Sequence, residues 1–150
     1  MPNSINKRRI LVVGPGANSK GGITAVIRNY GRSSFWTEFG CVHFSSTRDG
    51  YRVGKLGYAI WRFFLFLWTI LVSRPTAISL HTSHGSSFAR KFCYLCAARM
   101  VGIPVVLHVH PAAFRDYYNS GSARRRWFVR LAGQLSDRIV FLSTTQLDAF

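Results

Sequence analysis

The chain has 150 residues, 48% of them apolar, which is enough for one core of ordinary globular type. Its 20 Lys and Arg stand against only 5 Asp and Glu, and the net charge of +15 attracts anions: nucleic acid, an acidic membrane leaflet or phosphate-bearing small molecules. Three cysteines, Cys41, Cys93 and Cys96, exclude the dense, even-numbered disulfide framework of a small secreted domain.

Lys7-Arg8-Arg9 before Ile10–Val13 superficially resembles the start of a signal peptide. The apolar run ends at once in Gly14-Pro15-Gly16, too soon for a signal core, so a cytoplasmic location is expected. Ile10–Val13 has the character of a buried parallel strand. Gly22–Tyr30 sets Ile23, Val26, Ile27 and Tyr30 at helical spacing. Cys41–Phe44 predicts a second strand, and Ser45–Lys55 a polar loop. Leu56–Val72 predicts a helix stopped by Ser73-Arg74-Pro75, because the residue before proline avoids helical geometry. This helix is the one serious candidate for a membrane span. Arg62 interrupts it, however, and the uncharged remainder falls short of the ~20 residues a span needs, so a buried or interfacial helix is expected.

Ala77–His81 predicts a third strand, Ser87–Val101 a helix capped by Gly102, and Pro104–Val109 a fourth strand. A loop through Ser122, a helix over Arg124–Leu135 and a strand over Arg138–Leu142 follow, with a further helix starting near Thr144-Thr145. Five strand–helix alternations predict an α/β fold, a doubly wound, Rossmann-like parallel sheet with helices on both faces. The chain stops inside an element, so continuation beyond residue 150 is expected.

Ligands of an open parallel sheet bind beyond the carboxyl ends of its strands. Four polar loops are expected there: Gly14–Gly22, His81–Ser86, the segment with His108, His110, Pro111, Phe114 and Arg115, and Ser143-Thr144-Thr145. The glycine loop is not a P-loop, since Gly22 and Ile23 occupy the Lys and Ser/Thr positions after Gly21. Nor is it the dinucleotide fingerprint, since Ser19 replaces the third glycine and Ser45-Ser46 the acid after strand two. What remains is Gly21-Gly22 opening a helix, either as unobstructed N–H groups for an anion or as a tight turn needing positive φ. His108 is expected in the core or just behind the site supporting it, and His110, just past its strand, in the crevice as a ligand or catalytic group. Cys93-Tyr94-Leu95-Cys96 with His81 and His84 has a zinc-like inventory, but the pair lies within a helix and is expected in the core, with no metal.

Gly21-Gly22-Ile23-Thr24-Ala25-Val26 resembles the glycine loop of family 4 glycosyltransferases, retaining GT-B enzymes that use nucleotide-sugar donors. Ile78-Ser79-Leu80-His81-Thr82-Ser83 with Ser86, Phe88, Arg90 and Lys91 resembles a subgroup concerned with bacterial polysaccharides. So does Val105–His110 followed by Phe114-Arg115. The three blocks stand in the family's order over nearly the whole chain. The resemblance implies an N-terminal, acceptor-side domain of a GT-B fold, with Gly21 and Gly22 toward the donor diphosphate and His110 near the transferred sugar. It implies acceptor contacts at His81, Arg90, Lys91 and Arg115, and no metal or other cofactor. Two departures stand out: Pro111 replaces a frequent glycine, and Ala77 an acid before strand three. The family's E-x7-E motif and its Arg/Lys pair for the donor phosphates belong to a C-terminal domain, so this segment is not expected to catalyse alone.

The expected activity is hexosyl transfer, with retention, to a polysaccharide or lipid-linked saccharide acceptor. An NAD(P)-dependent oxidoreductase is the alternative, with Ser45, Ser46 and Arg48 reading a 2′-phosphate. A basic nucleic-acid module is the other alternative, but the cations are scattered without interleaved aromatics, and no nucleic-acid partner is expected. The bulky residues of 56–72 exceed one sheet-packing stripe, and Arg124-Arg125-Arg126 oppose a helix dipole. Peripheral attachment to the anionic cytoplasmic leaflet is therefore expected.

Overall fold

The structure, a computed structural model, describes residues 9–47, 52–110 and 114–142. Arg48, Pro111 and Ser143-Thr144-Thr145, with the helix start expected there, lie outside the described residues. Elements in chain order are β1 (Ile10–Pro15), α1 (Gly22–Gly31), α2 (Ser34–Glu38), β2 (Val42–Thr47), α3 (Arg52–Ser73), β3 (Ala77–Thr82), α4 (Ser86–Met100), β4 (Val105–Val109), α5 (Phe114–Asn119), α6 (Ala123–Leu135) and β5 (Arg138–Phe141). The five strands form one all-parallel sheet in the order β2-β1-β3-β4-β5, flanked by helices. That is a doubly wound, Rossmann-like α/β fold. The chain divides into two compact units, Met1–Ile78 and Ser79–Phe150.

In the first unit Leu11, Val12 and Val13 of β1 are buried, and β1 pairs with β2 in unbroken register from Leu11–Val42 to Gly14–Ser45. β2 runs three residues past its predicted end because its serines are satisfied locally. Ser46 Oγ donates to Gly14 O at 2.8 Å, and the Gly16 N–H donates to Thr47 O at 2.8 Å. A Cβ at Gly14 would meet Ile27 Cδ1 of α1, so the tip of that side chain has to move to admit one. The short helix α2 has no sequence periodicity to betray it. Trp36 and the following Phe39 anchor it, packing on the buried cluster Val12, Ile27 and Cys41.

α3 ends at Ser73 as expected, with Arg74 at φ 40 turning the chain before Pro75. It begins earlier than predicted, at Arg52, within the segment expected as loop. Its inner face is Arg62, Phe66 and Ile70. Phe66 meets Phe44 of β2 edge-on at 5.6 Å, and the Arg62 guanidinium lies 4.1 Å from the centre of the Phe44 ring. Arg62 Nε also donates to Ser45 O. The cation that interrupts the apolar run is thus turned onto the sheet.

In the second unit Leu80, Leu95, Val105, Leu107, Val109, Phe114 and Val129 are buried. Gly102 at φ 73 ends α4 as predicted, with Ile103 N–H donating to Ala98 O at 3.0 Å. Where an open loop to Ser122 was expected, α5 forms. Phe114 packs on Phe88 of α4, and Tyr118 Oη accepts from Arg130 of α6 at 2.9 Å. The cysteine expectation needs correcting: Cys93 is exposed and Cys96 only half-buried, because the inward face of α4 is Phe88, Lys91, Tyr94, Leu95 and Ala98. The arginine triplet also reads differently. Arg125 donates to Tyr117 O and stacks on the Tyr117 ring, and Arg126 donates to Gly121 O, so two of the three serve the chain's own carbonyls.

Candidate functional site

In the first unit the glycine loop leads into α1. Gly21 sits at φ 139, a region closed to residues with a side chain, and no side chain caps the helix. Gly22 is different. A Cβ at this position meets nothing within 4 Å, so its backbone faces open space rather than a neighbour. The first N–H groups of a ten-residue helix are therefore presented without a protein cap, which is the arrangement that binds anions. Gly21 carries the positive φ of the tight-turn reading. The hydroxyls that an NADP reading would use are engaged elsewhere, Ser45 Oγ on Thr47 O at 2.9 Å and Ser46 Oγ on Gly14 O.

In the second unit β3 and β4 build a histidine cluster. Alternation along a strand puts Ser79 and His81 on one face of β3, and His108 and His110 on one face at the end of β4. His81 is fully buried, and its ring stacks on His108 with centroids 4.4 Å apart and planes 12° apart. His81 Nε2 is 3.1 Å from Ser79 Oγ, and His81 Nδ1 is 2.9 Å from His110 Nε2. The His110 N–H donates to Thr82 O at 2.9 Å, which ties its backbone to the end of β3. His110 therefore lies where the sequence placed it, just past its strand, but nine-tenths buried.

Burial, and then the neighbouring His108, push the His110 imidazole down to about pKa 4; burial alone lowers His108. Both rings are neutral at pH 7. Where His81 carries a single ring proton, the Ser79–His81–His110 chain has two proton arrangements. Either Ser79 donates to His81, which donates to His110, leaving His110 Nδ1 a donor, or every bond reverses and Nδ1 becomes an acceptor. Serine and the first histidine thus decide what His110 offers. Ser79 was missed in the sequence, although its i, i+2 spacing to His81 was the signal.

On α4, Lys91 is buried while Arg90 is half-buried, with its Nε closed to solvent and without a hydrogen bond among the described residues. Burial, then the Arg90 charge, lowers the Lys91 ammonium to about pKa 7. Its Nζ lies 5.5 Å from the Tyr94 ring centre. Arg115 on α5 is exposed. Of the second-unit candidates, His81 and His110 are brought into contact. Among the described residues no three or more His, Cys, Asp or Glu side chains are grouped to hold a metal ion.

These shifts fix a pH dependence of stability. A histidine or lysine with a folded pKa below its unfolded value binds fewer protons folded than unfolded, so stability falls as pH falls through that interval. For His110 the interval runs from about 6.5 down to about 4, and the loss is on the order of 3 kcal/mol. For Lys91 stability rises from about pH 7 toward its ordinary value of 10.5. Urea midpoints between pH 4 and 10 are expected to climb in two steps, with His110→Gln shrinking the lower, which His108 shares, and Lys91→Met removing the upper. A lower step that His110→Gln leaves unchanged assigns it to another group.

The outer face of α3 completes the inventory. Leu56, Ile60, Phe64, Trp68 and Val72 recur every four residues, with Trp61 and Leu71 beside them, and all seven are exposed. Leu56–Ser73 is long and apolar enough to cross a membrane by length and composition, and only 11% of it is buried. The expectation of a buried helix is thus met on one side only. No protein-family model matches the chain, and searches of curated proteins and of solved structures return no match.

Proposed function

We propose that this chain is the acceptor-side domain of a retaining glycosyltransferase of the GT-B type, transferring a hexose from a nucleotide sugar to a polysaccharide or lipid-linked saccharide. The observation that carries the reading is the Ser79–His81–His110 chain, which fixes a neutral imidazole at the end of β4. A neutral ring can hydrogen-bond a sugar hydroxyl without placing a cation beside a transition state that itself becomes positive. The uncapped start of α1 supports it as a seat for diphosphate charge. In the transfer the donor's C1–O(phosphate) bond breaks and a C1–O(acceptor) bond forms on the same face. The acceptor's hydroxyl proton passes to the released diphosphate. His110 orients the sugar.

The test is a transfer assay with labelled UDP- and GDP-hexoses on the polypeptide that joins this chain to a donor-binding domain. Label is expected in saccharide or lipid-linked product with retained anomeric configuration. Hydride transfer to a nicotinamide cofactor, or no transfer from any donor, overturns the reading. Gly22→Val places a branched side chain in the open space at the start of α1 without a positive φ to strain it. Donor KM is expected to rise about tenfold or more, the loss of one charge-assisted contact of roughly 1.5–3 kcal/mol, with the melting temperature nearly unchanged. Unaltered donor KM reduces the loop to a turn.

We propose in addition that the protein works as a peripheral protein of the anionic cytoplasmic leaflet, with the outer face of α3 in the interface. Exposed Arg74 follows the helix directly, and exposed Arg9 is drawn to that end by the Thr76 N–H donating to Arg9 O at 2.9 Å. Cations at the C-terminal end of α3 and aromatics along its stripe suit a helix lying flat among headgroups.

A further inference from the structure

One cavity of the first unit belongs to none of these roles. It has a volume of about 320 Å³ and lies between the loop after β1, the side of α1, α2 and β2. Thr24, Ile27, Arg28, Arg32, Trp36 and His43 are among the residues that line it. Its size is at the lower end of the range for small-molecule sites, about 300–1,000 Å³, which suits one monosaccharide rather than a nucleotide sugar.

The lining has three chemically distinct parts. Ile27 and Trp36 form an apolar floor, and Trp36 is held by packing on the Val12, Ile27 and Cys41 cluster. The rim is cationic. Arg28 and Arg32 stand one turn apart and exposed, Arg28 reaching Ala17 O at 3.2 Å, and neither meets a carboxylate among the described residues. Both stand at the C-terminal end of α1, where the helix dipole favours cations and offsets their mutual repulsion. The third part is Thr24, one turn before Arg28. The residue lines the cavity and is almost wholly buried, and its Oγ1, closed to solvent behind the cavity wall, has no hydrogen-bond partner among the described residues. A buried hydroxyl without a partner is a standing deficit that a ligand hydroxyl removes.

We infer that this cavity is a binding site for a phosphorylated monosaccharide. The pyranose lays its C–H face on Trp36, a ring hydroxyl bonds Thr24 Oγ1, and the phosphate sits between Arg28 and Arg32. Arginine meets phosphate with paired N–H donors, and neither inorganic phosphate nor a neutral sugar uses all three parts. This inference goes beyond the transfer reading and does not depend on it.

Titration calorimetry of the whole chain at fixed ionic strength tests it with glucose 1-phosphate, glucose and inorganic phosphate. Glucose 1-phosphate is expected to bind at least tenfold more tightly than either of the others. Arg32→Gln is expected to weaken it tenfold or more. Thr24→Val, which removes the partnerless hydroxyl at constant volume, should weaken the sugar phosphate severalfold while leaving inorganic phosphate unchanged and the fold no less stable. Farnesyl diphosphate-linked glucose in micelles separates the two sources of this chemistry. Tighter binding than glucose 1-phosphate assigns the site to a lipid-linked saccharide, and equal or weaker binding to a soluble sugar phosphate. Equal binding of phosphate and glucose 1-phosphate, no binding of either, or indifference to both substitutions overturns the inference. Because binding is read directly, failure of glycosyl transfer and failure of this site are separate results.

Discussion

His110→Ala is expected to lower transfer by about 100-fold or more, the size of effect seen when one aligned donor is removed from a transition state. The polypeptide to assay is this chain joined to a donor-binding domain. The substitution also leaves His81 Nδ1, which now faces His110 Nε2, without that bond, at a stability cost of about 1–3 kcal/mol. His110→Gln, which keeps a polar group beside His81, separates the two effects. It is expected to restore stability and not turnover. The circular dichroism spectrum and urea midpoint report the fold, and kcat/KM reports the chemistry. Activity of His110→Ala within a few-fold of wild type removes His110 from the reaction and leaves it a packed histidine.

The second large effect is at the membrane. A bulky apolar side chain moved out of water contributes about 1.5–3 kcal/mol, whereas a basic residue near an anionic leaflet contributes about 1 kcal/mol. The apolar stripe is therefore expected to dominate affinity, and the cations to set its preference for anionic lipid. Phe64 and Trp68 are 64% and 67% exposed, so Phe64→Ser with Trp68→Ser leaves the core untouched. Sedimentation with anionic vesicles is expected to fall about 100-fold for the pair. Arg9→Gln with Arg74→Gln is expected to lose about tenfold on anionic vesicles and little on neutral ones. Equal, negligible sedimentation of the wild type with both vesicle types refutes attachment. Resistance to high salt and carbonate identifies a span instead.

The sheet was legible in the sequence because short aliphatic runs ending in Gly, Ser or His have few other solutions, and all five strands lie where those runs predict. The boundaries that moved did so for tertiary reasons. Ser45-Ser46-Thr47 reads as loop until one knows that Gly14 and Gly16 supply the hydrogen bonds that make it strand. α2 and α5 are too short for periodicity and exist because Trp36 and Phe114 find a core. Within the candidate site the histidine positions were legible, but their linkage was not. Nothing in local sequence says that β3 and β4 bring His81 and His110 into hydrogen-bonding range. The arginine triplet misled for a related reason: Arg125 and Arg126 look outward-facing by helix position and turn back onto Tyr117 and Gly121.

Arg62 has a consequence for synthesis. Its carbonyl acceptor on Ser45 and the Phe44 ring it covers both precede it in the chain, so they have left the ribosome before α3 is complete. An apolar helix emerging from the ribosome is a substrate for the machinery that inserts proteins into membranes. This one emerges with a guanidinium at its centre and with that guanidinium's partners already made. The nascent sheet edge thus competes with the translocon for the helix, and each productive docking turns the charge inward and leaves the apolar stripe outside. If α3 lies on a membrane surface as proposed above, that order of synthesis keeps its apolar stripe in the interface rather than across the bilayer.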